Sequence, residues 1–169
     1  SAIPPTPTVG AVGLIEDYAQ RADFSSMKEG DVLILIGDTN GELGASMYLR
    51  EVLGREDGAP PPVDLAVEKR NGDFVRDLIL SGQTSVVHDL SDGGLIAAVA
   101  EMTLASNIGA TLGYMHFGVG ELFGEDQARY LVAVSRGTTD EAYTRAAAAD
   151  VVAHPVADVG GDSLTVVHD

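Results

Sequence analysis

The sequence predicts a two-layer α/β domain. Three observations predict it. Strand-length apolar runs alternate with helix-length amphipathic segments across residues 28–169. The run from Val32 to Ile36, bounded by Gly30 and Gly37, reads as a strand covered on both faces. Glycine- or proline-bearing turns punctuate most of the junctions.

Residues 9–15, preceded by Pro4, Pro5 and Pro7 and followed by Glu16 and Asp17, read as a glycine-interrupted strand. Prolines at its start hold the chain extended and remove donors, which suits a sheet edge or a sheet completed from elsewhere. Residues 31–36 form the first strand of the domain proper. A turn-rich loop, 37–41, leads to a helix expected over 43–53 and stopped by Gly54; Pro60, Pro61 and Pro62 mark a surface connector. Asp64 is placed to cap a helix running to Leu80, with Val67, Phe74, Val75 and Leu78 on one face and Gly82 as the stop. Gly72 inside that helix costs roughly 1 kcal/mol against Ala.

Residues 85–88 read as the next strand. Asp92 opens a helix that buries Leu95, Val99 and Met102 and closes near Asn107. Strands over 110–114 and 130–134 flank a loop carrying Gly118, Gly120 and Gly124. A helix over 138–149, capped by Thr138 or Thr139, holds Asp140 and Glu141 in its favourable first turn. Strands over 151–156 and 164–167, joined through Gly160 and Gly161, complete the chain.

Composition narrows the function. Among 169 residues, 26 acidic against 10 basic side chains give a formal net charge of −16, a field that repels phosphate backbones and anionic lipid. Neither nucleic acid nor membrane is expected as a partner. Cysteine is absent, so disulfides, thiolate nucleophiles and Cys-ligated zinc are excluded. The longest apolar run is far too short to span a bilayer, and the first residues lack the pattern of a signal peptide. A cytoplasmic location is expected.

Three turns concentrate the candidate chemistry. In the first, His88-Asp-Leu-Ser-Asp-Gly-Gly-Leu95, a strand passes into a helix. Gly93 and Gly94 let a phosphate approach the free N–H groups there, and Asp89 offers a hard oxygen suited to Mg²⁺; equally, Asp92 caps the helix and the glycines permit close packing. The second, Glu125-Asp126-Gln127, either grips a small polar ligand or forms a solvated turn. The third, residues 37–46, is glycine-rich but lacks the Lys-Ser/Thr ending of a phosphate-binding P-loop, which favours a plain strand-to-helix connection. His88, His116, His154 and His168 show no zinc-binding spacing, and Ser46, Ser91 and Ser163 have no nucleophile-elbow context.

Four segments, in order, resemble one family: residues 7–17 (Pro-Thr-Val-Gly-Ala-Val-Gly-Leu-Ile-Glu-Asp), 41–49 (Gly-Glu-Leu-Gly-Ala-Ser-Met-Tyr-Leu), 88–95 with Ala100-Glu-Met102, and Leu122-Phe-Gly-Glu-Asp-Gln127. The chain is similar to the synthetase chains of the phosphoribosylformylglycinamidine synthase family over nearly its whole length. The resemblance implies two tandem copies of an ATP-binding half-barrel, each followed by an α/β domain of the aminoimidazole ribonucleotide synthetase type, a mixed sheet with helices packed on one face. Residues 1–27 look like the end of the second half-barrel plus a linker, and residues 28–169 like the domain that follows it.

The resemblance further implies the parent reaction, in which ATP and Mg²⁺ activate the formylglycinamide oxygen of a ribonucleotide. Ammonia from a glutaminase partner then gives the amidine. No cofactor is expected to be needed for folding of the fragment itself. By this likeness Asp89 matches a metal position, and Glu125, Asp126 and Gln127 match a substrate-holding Glu-Ser-Gln triple. A carboxylate at 126 is expected to repel a phosphorylated ligand by roughly 1 kcal/mol or more per close contact. Asp64 falls where the first repeat carries a substrate-binding Gln. With Asp92, Gly93 and Gly94, these residues make up a pseudo-symmetric ligand site in a domain that the resemblance implies to be structural, flanking an auxiliary nucleotide site, and inactive alone. Two other readings are a domain of a related single-repeat enzyme (selenophosphate synthetase, thiamine-monophosphate kinase or aminoimidazole ribonucleotide synthetase type) and a non-catalytic interaction module.

Overall fold

The computed structural model describes residues 8–167; Pro4, Pro5, Pro7 and His168 lie outside the described residues. The strands are β1 (Asp31–Ile36), β2 (Val86–Asp89), β3 (Ala110–Leu112), β4 (Tyr130–Ser135), β5 (Ala153–Val159) and β6 (Leu164–Val166). The helices are α1 (Leu65–Leu80), α2 (Gly94–Ser106), the short α3 (Val119–Phe123) and α4 (Thr139–Ala148). They build one sheet in the order β2-β4-β1-β5-β3-β6, antiparallel throughout except for the β3–β6 pair. The α/β class and the mixed sheet agree with expectation.

The layering does not. Helices cover both faces, as the unbroken apolar run of β1 itself demands. Val32, Ile34 and Ile36 join Val132 and Val134 of β4 against Phe74, Val75 and Leu78 of α1 and Ala142 and Ala146 of α4. The alternate residues Leu33 and Leu35 join Leu131 and Ala133 against Leu95, Ala98, Val99 and Met102 of α2. Register produces this sorting: Val32 pairs with Val134 and Leu33 with Ala133, so every second pair faces the same helix. Each fully buried Leu, Ile or Val contributes about 1.5–3 kcal/mol, which makes β1 and β4 the centre of the fold.

Several boundaries move for identifiable reasons. Residues 9–15 form no strand, and Val9, Val12 and Leu14 are exposed; the residue that bridges β2 is Asp23 instead. The helix expected over 43–53 shrinks to a π-helical turn, Tyr48–Val52. A Cβ at Gly44 would stand 2.0 Å from the Ala59 oxygen, and Ala45 has φ +56°, so the chain crosses itself where that helix was to begin. A Pro inside a central strand needs a bulge, and the β1–β5 register shifts where Pro155 faces Ile34. α4 starts without a side-chain bond from Thr138. The loop between β3 and β4 folds α3 within it.

Candidate functional site

β1 and β2 end, and antiparallel β4 begins, at one end of the sheet, because Ile36 and Asp89 both pair with Tyr130. Three loops therefore meet there: 37–47 after β1, 90–93 after β2, and 118–129 before β4. The N-terminus of α1 joins them. Its first amides are held by Asp64, whose Oδ1 accepts from Ala66 N at 2.9 Å and Val67 N at 3.2 Å, as the sequence anticipated.

Two successive carboxylates staple the loops. Asp126, 3% exposed, accepts from the backbone N–H groups of Asn40 at 3.0 Å, Gly41 at 3.2 Å and Glu42 at 3.4 Å. Glu125 Oε1 accepts from Met47 N at 2.8 Å and Gly93 N at 2.9 Å. The Glu125 N–H in turn donates to Glu42 O at 2.9 Å. Close backbone contact makes this geometry possible. A Cβ at Gly94 would lie 2.5 Å from Gly124 O, and Gly94 has φ +68°, which L side chains rarely adopt.

α2 consequently starts differently from expectation. Its N-cap is Gly93, at φ 82°, not Asp92. The carboxylate that accepts from the cap N–H is Glu125, 32 residues downstream. Asp92 stays exposed in the preceding turn.

Arg129, which sequence reasoning missed, lies beneath the staple with a fully buried side chain. Its guanidinium donates to Gly124 O at 2.6 Å, Asp126 O at 3.1 Å and Thr39 Oγ1 at 3.1 Å, and it stands 3.7 Å from Asp126 Oδ2. Burial lowers its pKa from the ordinary value, while the charges of Asp126 and Glu125 push it back up. The one available signal was position: a basic residue three after Asp126, directly before an apolar strand. Asn71 was missed too. It is buried on α1 and donates to Ala128 O at 2.9 Å, and its Oδ1 has no hydrogen-bond partner among the described residues.

Beside the staple opens a pocket of about 230 Å³ lined by Asp38, Asn40, Asp64, Val67, Asp126 and Gln127, among others. The structure thus brings Asp64, Asp126 and Gln127 together. It places Gly93 and Gly94 behind the staple, bonded to Glu125 or packed on Gly124, and leaves Asp92 outside the pocket lining. The expected repulsion from an open carboxylate at 126 is also revised, because Asp126 is turned inward onto three amides and faces Arg129.

Asp89 stands apart. Its side chain is 69% exposed at the end of β2, 3.6 Å from His88 Nδ1. His88 is a satisfied residue of β2, with its ring nitrogens 2.6 Å from Asp89 O and 2.8 Å from Glu101 Oε2. Among the described residues no three His, Cys, Asp or Glu side chains gather to hold a metal. Mg²⁺ takes oxygen ligands in near-octahedral geometry, and a lone exposed carboxylate does not constitute such a site. These residues alone therefore do not fit the ion.

Residues 28–169 match the family described as AIR synthase related protein, C-terminal domain. The chain is 64% identical over 137 residues to the phosphoribosylformylglycinamidine synthase subunit PurL of Caulobacter vibrioides, a match covering 78% of this chain and 18% of that one. It is 48% identical over 168 residues to PurL of Bradyrhizobium diazoefficiens, covering 98% and 23%. The chain thus spans about a fifth of the length of these curated relatives. A solved structure of Thermotoga maritima PurL complexed with FGAR shares the fold with a TM-score of 0.78 at 21% identity, covering 89% of this chain and 27% of that one. By the family match and by the fold, the chain belongs to the AIR synthase related protein, C-terminal domain family.

Proposed function

We propose that this chain is the second C-terminal domain of a phosphoribosylformylglycinamidine synthase, with residues 1–27 the end of the preceding half-barrel and 28–169 the domain itself. The parent reaction is the ATP-dependent amidation of formylglycinamide ribonucleotide in purine biosynthesis, in the cytoplasm, with ammonia from a glutaminase partner. The observation that carries this reading is the match of nearly the whole chain to one segment of PurL subunits, at 48% identity over 168 residues. A solved Thermotoga maritima assembly titled PurLQS supports a multi-subunit parent, and a complex of PurL with ATP supports nucleotide use by it.

Within that parent the domain's task is structural. Its own residues hold three loops in one arrangement, and the pocket they leave is lined by Asp38, Asp64 and Asp126 without a basic side chain. Such a lining does not neutralise a transferring phosphoryl group, and the lone Asp89 does not cage Mg²⁺. No chemical step is therefore assigned to these residues. Asp64, Gly93, Gly94, Glu125, Asp126 and Gln127 support the loops or border the pocket, while Asp92 stays exposed outside the pocket lining. The test is an amidation assay: given ATP, Mg²⁺, ammonia and formylglycinamide ribonucleotide, residues 1–169 alone are expected to form no amidine. Turnover by the chain alone overturns the structural role. The parental assignment is checked separately by reading the gene upstream of Ser1, where an ATP-binding half-barrel is expected and its absence refutes it.

A further inference from the structure

Backbone N–H groups converge at two places in the site, one within the loop after β1 and one shared between that loop and the turn before α2, the arrangement that elsewhere holds phosphate or another oxyanion. Here each cluster is already engaged by a carboxylate of the chain itself. Asn40, Gly41 and Glu42 converge on Asp126, and Met47 and Gly93 converge on Glu125. The two carboxylates are consecutive, so one short segment fills both clusters. Backbone packing locks that segment in place: a Cβ at Gly124 would stand 2.4 Å from Gly120 O and 3.0 Å from Gly41 Cα. Arg129 adds a buried positive charge beneath it.

We propose that Glu125 and Asp126 are built-in anions, through which the domain refuses phosphate and other small oxyanions at both N–H clusters. This goes beyond the reading of function above and does not depend on it, since it concerns what these loops accept in any parent reaction. A phosphorylated ligand that enters the neighbouring pocket meets Asp38 and Asp64, with no basic side chain in the lining to offset them.

The test is a titration of the 169-residue chain with sodium formate and with inorganic phosphate, read by amide NMR and by melting temperature. In the wild type, the amide signals of Asn40, Gly41, Glu42, Met47 and Gly93 are expected to stay in place. In Asp126→Ala the signals of residues 40–42 are expected to shift saturably, and in Glu125→Ala those of Met47 and Gly93, each with a rise in melting temperature. Glu125→Ala leaves the Arg129–Asp126 pair intact, so it tests the idea without uncovering the buried cation. A variant that unfolds but is refolded by either anion supports the proposal equally. Saturable shifts at these amides in the wild type overturn it. So do variants, folded or unfolded, that respond to neither anion more than the wild type does.

Discussion

Asp126 and Asp89 lie at the same end of the sheet, near the start of β4 and at the end of β2, yet the two regions use their carboxylates in opposite ways. Asp126 is buried, with three amide donors and a guanidinium beside it; Asp89 is exposed, and among the described residues its one ion-pair partner within 4 Å is His88 Nδ1. The residue type is the same. What differs is the number of donors the fold brings within reach, and that number decides whether a carboxylate is part of the frame or free to meet something else. A buried charge persists only where hydrogen bonds replace its water, which Asp126 has and Asp89 does not need.

The largest break in this contrast comes from Arg129→Met. Removing one partner of a buried charged pair costs about 3–5 kcal/mol, so the midpoint of urea unfolding is expected to fall steeply. Gly94→Ala comes next. It forces a side chain into a left-handed conformation and against Gly124 O, at a cost of about 2–3 kcal/mol in the same measurement. Asp64→Ala removes the cap of α1 and is expected to cost about 1 kcal/mol, sharpening the difference between a carboxylate that caps and one that staples.

A pH experiment addresses the strand between the two regions. Burial, then the hydrogen bond to Glu68 and the charges of Glu68 and Asp89, push the Tyr130 hydroxyl up to about 12 from 10.0. A raised pKa in the folded state stabilises the protein fully below the unfolded value. That contribution is lost as pH climbs from 10 to 12. Tyr130→Phe is expected to flatten the decline in that window, as read by unfolding at a series of pH values. Asp89→Ala is the smallest change, expected within about 0.5 kcal/mol of wild type because the side chain is exposed. A loss as large as that of Arg129→Met would erase the distinction between the two regions.

Much of the fold was legible because it rests on short-range signals. The apolar run of β1, the Asp64 cap with its following stripe, and the alternation of strands with helices each depend on near neighbours. The layering was half legible: the same run that predicted coverage on both faces contradicted the one-faced packing, and the structure follows the run. What stayed hidden depends on distant contacts. Glu125 holds the N–H of α2's N-cap residue, Gly93, from 32 residues away, and no local pattern at Asp92 reveals it. The helix expected over 43–53 fails because Gly44 meets Ala59, a crossing invisible to periodicity. Arg129 reads as an ordinary polar residue at a strand entrance until Gly124, Asp126 and Thr39 are seen around it.

That crossing has a further effect. Because the chain touches itself at Gly44 and Ala59, the stretch beyond Met47, including the π-helical turn, is an excursion whose two ends are pinned together. Closing a longer excursion costs only a slowly growing entropy, so its exposed part, residues 51–58, can be lengthened or threaded with an epitope while Tyr48 keeps its ring contact with Phe123 and the stapled loops keep their spacing. The domain thus carries a built-in attachment point in the exposed part of the excursion.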